Sequence, residues 1–185
     1  MPPRRTILIG LSLLAAAGLR ADQPLQLDRK RCVLEVEVHA VFETIALRLE
    51  RFDADIVVDR EAGRIVSAEL IFDLADLHSG IARRDRDMLE WEEYSLFPRV
   101  RFRLGALERP ASGALLARGT LTLHGVEHAL SMPVSVLAEG EMYVVAGEAQ
   151  LDYRDFGLPL LRKFLLQRVD PRLRVRFHLQ GRAPE

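Results

Sequence analysis

Cysteine is nearly absent from this sequence: Cys32 is the single one among 185 residues. One thiol cannot form a disulfide within the chain, so no covalent framework holds the fold even in an oxidising compartment. Lys30 and Arg31 precede this residue, whereas small and apolar residues precede a cysteine that carries a lipid. We therefore interpret Cys32 as a small, buried hydrophobic residue on a strand.

The sequence also lacks a charge of one dominant sign. Its 26 basic and 27 acidic side chains are interspersed and leave a formal net charge of −1. Such a chain has no strong single-sign field that attracts nucleic acid or an anionic membrane surface, so neither is an expected partner. Repeats of fixed period and low-complexity tracts are missing as well. With 49% hydrophobic residues, the chain has the length and composition of one domain with one core.

A long hydrophobic run is missing too, and the apolar run that exists lies close to the N-terminus. Arg4 and Arg5 precede the apolar residues 7–17, and small residues and a polar segment, DQPLQLDRKR, follow. This order is typical of a cleaved export signal, and the run is shorter than the roughly 20 residues that span a bilayer. We expect residues 1–21 to be the signal and residues 22–185 to form a domain outside the cytoplasm, without a membrane span in the mature form. The arginine pair fits both general and twin-arginine export.

The stretch His124-Gly-Val-Glu-His128 reads as H-x-x-E-H, the residue order of an inverted zinc-protease motif. Two histidines four residues apart share a face only on a helix. Here, however, apolar and polar residues alternate with a period of two on both sides of the motif, and Gly125 stands where the parity changes. We therefore predict a β-hairpin with His124 and Gly125 in its turn, and no metal site.

The same alternation extends through most of the chain and predicts β-strands. In one of them the parity slips near Glu50 and Arg51, as at a bulge where a strand bends. Antiparallel strands with one apolar and one polar face can close into an up-and-down barrel, which leaves no exposed edge. We therefore predict an all-β fold, an eight-stranded antiparallel up-and-down barrel with one or two short helical segments. The expected strands are residues 34–38, 45–58, 66–74, 100–104, 117–123, 126–136, 142–153 and 173–179.

Closure of this barrel would place the first strand beside the last. Glu35 and Glu37 would then face Arg172, Arg174 and Arg176 on the outer surface. Opposite charges across neighbouring strands stabilise the pairing by a few tenths of a kcal/mol per pair. The alternative is that the two charged faces are solvated independently.

Two segments interrupt the alternation. Residues 80–93 have the charged character of a surface helix, with four anchors to a core. Residues 155–168 are far more apolar than a surface loop needs, and are interpreted either as a plug or lid over one barrel mouth or as a cover packed on the outside. The anchors of the helix are Ile81, Met88, Leu89 and Trp91, and the apolar residues of the second segment are Phe156, Leu158, Leu160, Leu161, Phe164, Leu165 and Leu166.

Few groups point to catalysis. Arg84, Asp85 and Asp87 bring carboxylates beside arginines, as general acid–base sites do, but on a charged helix we expect them to form surface or capping ion pairs. No serine or cysteine stands in a nucleophile elbow, and no glycine-rich phosphate loop follows a strand. We expect that the protein is not an enzyme.

Several motifs together resemble the YceI-like, polyisoprenoid-binding family, and their order and spacing match over about residues 25–181. The resemblance implies a lipocalin-like eight-stranded barrel that is exported to the bacterial periplasm. It also implies that the apolar interior holds a long isoprenoid or another amphiphilic chain. The motifs are Arg83-Arg84-Asp85 with Met88, Phe97-Pro98 before a strand, ARGTLTLHGVEHALSMPVSV, Asp155-Phe156-Gly157-Leu158, and Val169-Asp170 before RVRFHL.

The function predicted on this basis is that of a periplasmic carrier or sequestering protein. Its ligand would be a long-chain isoprenoid, quinone or fatty amphiphile, and no cofactor is required. An eight-stranded barrel can also be filled by its own side chains, so the main alternative is a ligand-free barrel that acts through its surface on a membrane or respiratory protein. A homodimer is compatible with either. The predicted ligand-contacting residues are Val36, Val38, Leu47, Leu49, Phe72, Leu74, Phe102, Leu121, Leu123, Leu130, Met132 and Leu151, with Phe156 and Leu158 at a mouth.

Overall fold

A computed structural model of the protein describes residues 22–40, 42–111, 113–163 and 167–184. The predicted export signal, residues 1–21, lies outside the described residues, and so do Phe164, Leu165 and Leu166 of the apolar segment. In the part of the chain that is described, no helix combines the length and the apolar character that crossing a membrane requires.

β-Strands account for most of the described chain, as the period-two alternation predicts. Between them lie one α-helix, α1 (Ala82–Trp91), and three short 3-10 helices (Arg29–Arg31, Leu74–Asp76 and Tyr153–Phe156). The strands are β1 (Gln23–Pro24), β2 (Gln26–Leu27), β3 (Val33–Ala40), β4 (Glu43–Leu49), β5 (Asp53–Asp59), β6 (Arg64–Asp73), β7 (Leu77–His78), β8 (Arg99–Glu108), β9 (Leu115–Leu123), β10 (Val126–Glu139), β11 (Met142–Asp152), β12 (Arg162–Lys163) and β13 (Gln167–Arg182).

The strands form one curled antiparallel sheet. Hydrogen-bonded neighbours follow the order β1-β5-β6-β8-β9-β10-β11-β13-β3-β4-β7, and the short strands β2 and β12 both pair with β13. Many neighbours are also consecutive in the chain, because a short turn can join two antiparallel strands. The core lies inside the curl, where Leu34, Val36, Val145 and Leu179 are buried. The mostly β, antiparallel architecture with one α-helix agrees with the prediction.

The predicted closed barrel of eight strands is wrong in two respects. Eleven described strands follow one another in the sheet order, and this order is open, with β1 at one end and β7 at the other. The predicted strand 45–58 is in fact two strands. β4 pairs with β3 and β7, whereas β5 pairs with β6 and β1. The slip in parity therefore marks the place where the chain leaves one end of the sheet and joins the other end. Phe52 is buried at this place, and the Arg29 guanidinium lies 4.6 Å from the centre of its ring.

The first and the last long strand are neighbours, as predicted. β3 and β13 are antiparallel, and their charged residues meet on the outer face. Arg174 Nη1 lies 3.5 Å from Glu37 Oε2, and Arg176 Nη2 lies 3.3 Å from Glu35 Oε1 and also contacts Glu37. Arg172, the third predicted partner, lies opposite a residue of β11. Exposed ion pairs contribute only about 0–1 kcal/mol each, so they support the register while the apolar inner face supplies most of the stability.

The H-x-x-E-H stretch forms the predicted hairpin, with His124 and Gly125 as the turn between β9 and β10. Both residues have a positive φ, +50° and +70°, as the favoured two-residue turns between antiparallel strands require. A Cβ atom at Gly125 would lie 2.7 Å from the ring of Phe97. Glycine is therefore needed here both for the backbone conformation and for the close contact with this ring.

α1 is the predicted charged helix. Three of its four predicted anchors pack against the core, whereas Ile81 is 51% exposed and does not anchor the helix. The backbone N–H and the hydroxyl of Ser79 donate hydrogen bonds to Asp85 over 2.8 and 2.6 Å. Arg84 Nη2 donates to Glu43 over 3.0 Å. The predicted capping and ion-pair roles of Asp85 and Arg84 are thus confirmed.

The apolar segment that follows β11 covers one end of the sheet. Phe156 and Leu158 are buried and belong to one cluster with Leu121 and Leu123, which lie on the inner face of β9. Leu160, farther along the segment, is 47% exposed. Because the buried residues pack on inward-facing leucines, the structure favours a plug or lid at a mouth over a cover on the outside.

Gly119 in β9 occupies a position where a side chain does not fit. A Cβ atom would lie 2.5 Å from the backbone oxygen of Arg103 and 2.6 Å from the ring of Phe102. We predict that Gly119→Ala lowers the free energy of unfolding by about 1–3 kcal/mol, as overpacking does. Denaturant unfolding measures the change. Gly105→Ala is the control, because its Cβ would meet nothing closer than the Arg118 oxygen at 3.5 Å; an equal loss in both variants would contradict the packing explanation.

Candidate ligand-binding cavity

The inside of the curled sheet contains a cavity of about 190 Å³. For comparison, an engineered apolar cavity of about 150 Å³ stays dry and binds benzene. Side chains from the inner faces of β3, β5, β6, β8, β9, β10, β11 and β13 form the wall. All of the lining residues are apolar except Glu69 and Glu92. The interior is therefore suited to an apolar ligand.

Two phenylalanine rings on the cavity wall lie against glycine backbone. The ring of Phe102 lies beside Gly119, and the ring of Phe177 lies beside Gly147, where a Cβ atom would be 2.7 Å from the ring. Both rings also line the cavity. Because the glycines have no side chain, the rings can approach the sheet closely, and the space inside the curl is kept open.

Nine of the fourteen predicted ligand-contacting residues line this cavity. They come from six different strands and one 3-10 helix, and the structure brings them together around one space. Their contact with a ligand remains a prediction. These residues are Val36, Phe72, Leu74, Phe102, Leu121, Leu123, Leu130, Met132 and Leu151.

The other five predicted residues lie in the core but do not line the cavity. Leu47 and Leu49 of β4 are buried among other core residues, and Val38 packs against the same cluster. Phe156 and Leu158 are buried in the cluster that covers one end of the sheet. The alternation along a strand shows which side chains point to the inside of the curled sheet. Whether such a side chain packs against other side chains or lines the cavity depends on how the curled sheet packs.

Several residues that line the cavity are missing from the set predicted from the sequence, and they come from both halves of the chain. Val175, Phe177 and Leu179 line the cavity from β13, and their alternation with charged residues is a sufficient signal for them. Ile56 lines it from β5, whose separate position in the sheet the sequence does not reveal. Glu92 has no such signal, because nothing in the pattern around it distinguishes a buried carboxylate from a surface one.

Glu92 is a buried carboxylate at the cavity. It follows the last residue of α1, is only 6% exposed, and lines the interior. Among the described residues, its Oε2 atom has no hydrogen-bond partner. Burial raises the pKa of Glu92 from its ordinary 4.5 to about 7, and the charge of His124 offsets part of this effect. Glu92 Oε2 is therefore a hydrogen-bond acceptor at the cavity that the described residues leave without a donor.

His124 does not donate a hydrogen bond to Glu92 Oε2. Its Nε2 atom lies 2.9 Å from Oε2 of Glu93, the exposed neighbour of Glu92. Its Nδ1 atom lies 3.2 Å from the backbone oxygen of Phe156. Both ring nitrogens thus face an oxygen other than those of Glu92. The pair formed by His124 and Glu93 links the hairpin turn, the end of α1 and the segment that covers the sheet.

The two histidines of the H-x-x-E-H stretch have different partners. His128 Nδ1 lies 3.1 Å from the backbone oxygen of Ala129, and its ring packs edge-on against Phe156. His124 turns instead toward Glu93. Within residues 22–40, 42–111, 113–163 and 167–184, no three histidine, cysteine or carboxylate side chains come together in a way that could hold a metal ion.

The raised pKa of Glu92 predicts a pH-dependent stability. Because the folded protein binds this proton more tightly than the unfolded chain does, the free energy of unfolding falls as the pH rises from about 4.5 to about 7, and it stays lower above that range. A pKa shift of this size corresponds to about 3 kcal/mol. We predict that Glu92→Gln, which cannot ionise, is more stable than the wild type by about 1–3 kcal/mol near pH ~8 and equally stable near pH ~4.

Urea unfolding of both proteins across this pH range measures the difference. Other groups titrate in the same range, so the comparison between the two proteins, rather than either profile alone, reports on Glu92. Parallel pH profiles for the two proteins would show that burial does not raise the pKa of Glu92.

A family model described as the YceI-like domain matches residues 26–181. Among solved structures, BcnA from Burkholderia cenocepacia is 19% identical, with a TM-score of 0.73 over 84% of this chain and 99% of that chain. A domain from Saccharophagus degradans, described as polyisoprenoid binding and implicated in plant cell wall breakdown, is 17% identical, with a TM-score of 0.65 over 88% and 99%. The Campylobacter jejuni YceI protein is 14% identical, with a TM-score of 0.64 over 77% and 87%. At these identities, the similarity to solved structures shows the fold. No curated protein matches the chain.

Proposed function

The chain belongs to the YceI-like family, and from this premise we propose that it binds a long-chain lipid inside the curled sheet. The ligand is an isoprenoid, a quinone or a fatty amphiphile, and the protein carries or sequesters it without chemical change. Together with the export signal predicted for residues 1–21, this proposal places the protein in the periplasm. The description of the Saccharophagus degradans domain as polyisoprenoid binding supports the ligand class by analogy only.

The observation that carries the proposal is the apolar cavity of about 190 Å³. A soluble domain normally packs its interior without large voids, so an open apolar space is a feature that a ligand would explain. Burial of about 400 Å² of isoprenoid surface stabilises a complex by about 10 kcal/mol before the costs of association and ordering are subtracted. Affinity can therefore come from apolar contact alone.

The size of the cavity limits how a long chain can bind. A space of about 190 Å³ is only somewhat larger than one that holds benzene, so it accommodates a short section of an isoprenoid. The proposal therefore includes a wider interior in the loaded protein, or a chain that extends through one end of the sheet. The end covered by Phe156 and Leu158 is the candidate for this opening, since its cover is a short 3-10 helix and the residues that follow it rather than a sheet strand.

Leu121 is the position at which the interior can be tested. It is 8% exposed, lies in the middle of β9 and lines the cavity. We predict that Leu121→Glu abolishes uptake of a radiolabelled polyprenol, with a loss of about 100-fold or more, because a carboxylate inside an apolar cavity would lose its hydration. Leu121→Trp should reduce uptake about tenfold by filling the space. Gel filtration of protein incubated with the lipid measures the bound label.

The control for these variants is Leu137→Trp. Leu137 lies on β10 and is 54% exposed, so the same ring on the outside of the sheet should leave uptake unchanged. Circular dichroism establishes that each variant is folded, and Leu121→Trp keeps the test valid if Leu121→Glu does not fold. Uptake that survives in both folded Leu121 variants would exclude the interior as the binding site and favour a ligand-free protein that acts through its surface.

A further inference from the structure

We propose that Glu92 forms a polar subsite of the cavity, and that this subsite selects a ligand whose long apolar chain ends in a hydroxyl group over one that ends in a phosphate or carboxylate. The inference deepens the proposed function and rests on it, because it assigns the position and the chemistry of the lipid head. It starts from Glu92 as a lining residue whose buried Oε2 atom has no hydrogen-bond partner among the described residues.

Glu92 differs from the other carboxylate on the cavity wall. Glu69 is paired with two arginines, Arg103 Nη2 at 3.1 Å and Arg101 Nε at 3.6 Å. Glu92 is 6% exposed, and its buried Oε2 atom has no hydrogen-bond partner among the described residues. A buried acceptor without a donor is costly and is rare in folded proteins. A ligand that brings a donor into the cavity removes this cost.

No donor among the described residues reaches Glu92 Oε2, not even the buried indole N–H of the adjacent Trp91, which also has no hydrogen-bond partner. Both ring nitrogens of His124 face other oxygens, those of Glu93 and Phe156. Glu92 also follows the C-terminal end of α1, where a helix exposes carbonyl groups rather than N–H groups. With the described residues arranged in this way, the donor to Glu92 Oε2 comes from water or from a ligand head.

A hydroxyl head fits this site better than the alternatives. It donates a hydrogen bond to the carboxylate and accepts one from the protonated acid, so it pairs with Glu92 in either state. A phosphate or carboxylate head would bring a second negative charge next to Glu92 in a poorly solvated space. The described residues that line the cavity include no lysine or arginine to compensate such a charge. A carbonyl head pairs only with the protonated form.

The apolar cluster against which the end of α1 packs orients the rest of the ligand. Leu74, Val100, Leu121 and Leu123 line the cavity and form a buried cluster near the end of the sheet that α1 and the covering segment share. Trp91, next to Glu92, packs against this cluster. A hydroxyl at Glu92 would thus lie at the covered end, with the chain running along the inner face of the sheet.

Three probes with the same chain test the head-group preference: farnesol, farnesyl monophosphate and the hydrocarbon farnesene. Trp91 is the single tryptophan of the chain and directly precedes Glu92, so its fluorescence reports binding. We expect the wild type to bind farnesol about tenfold or more tightly than either farnesene or farnesyl monophosphate, as one hydrogen bond to a charged group implies.

Variants of Glu92 identify the source of the preference. Glu92→Leu should bind farnesol and farnesene with equal affinity, because the acceptor is gone while the apolar contacts remain. Glu92→Gln keeps a polar group without the charge, so it should retain the preference for farnesol over farnesene and bind farnesyl monophosphate more tightly than the wild type does. Glu90→Gln removes an exposed carboxylate from the same helix and should behave like the wild type.

The outcomes separate this inference from the proposed function. If the wild type binds all three probes equally, or if Glu92→Leu keeps the preference for farnesol, the subsite is refuted while lipid binding stands. If none of the three probes binds to the wild type, both the subsite and the proposed function are refuted.

Discussion

The antiparallel pairing of β3 with β13 is the interaction on which the rest of the structure depends, because it joins the N-terminal strands to the C-terminal end of the sheet. In this pairing Val36 lies opposite Val175, and both side chains line the cavity. A slip of one residue would turn every side chain of β3 to the opposite face and would bring Glu35 and Glu37 inside. The register of this one pair therefore decides whether the interior is apolar, and the arginines opposite the two glutamates on the outer face support it.

An apolar interior and a buried carboxylate have different consequences for binding. Apolar contact supplies affinity in proportion to the buried area, but it does not fix the position of a flexible chain along the cavity. A single polar atom without a partner can fix that position, because the ligand gains most when its own polar group reaches it. The Oε2 atom of Glu92 is an atom of this kind, because it has no hydrogen-bond partner among the described residues. Glu69 on the same wall, in contrast, is already paired with arginines. We therefore expect the apolar part of the wall to bind the chain of the ligand and Glu92 to fix the position of its head group.

Much of the fold could be predicted from the sequence because its signals are local. The alternation of apolar and polar residues located the strands, the change of parity at Gly125 located a turn, and the opposite charges of the first and last strands indicated their contact. The division of residues 45–58 into β4 and β5 could not be predicted, because a bulge and a change of partner strand produce the same slip in parity. In the cavity, parity identified inward residues such as Leu121 but could not separate them from Leu47, which is buried against other side chains. The burial of Glu92 depends on how α1 lies against the sheet, which no local pattern records.

The most direct test of lipid binding is native mass spectrometry of the mature protein, purified from an exported preparation, followed by organic extraction and analysis of whatever is released. The account predicts a discrete hydrophobic adduct of isoprenoid, quinone or fatty-chain mass on the folded protein, which extraction releases intact. Protein without an adduct, which also fails to take up added quinone or polyprenyl lipid, would contradict the account and show that the interior is not a lipid site.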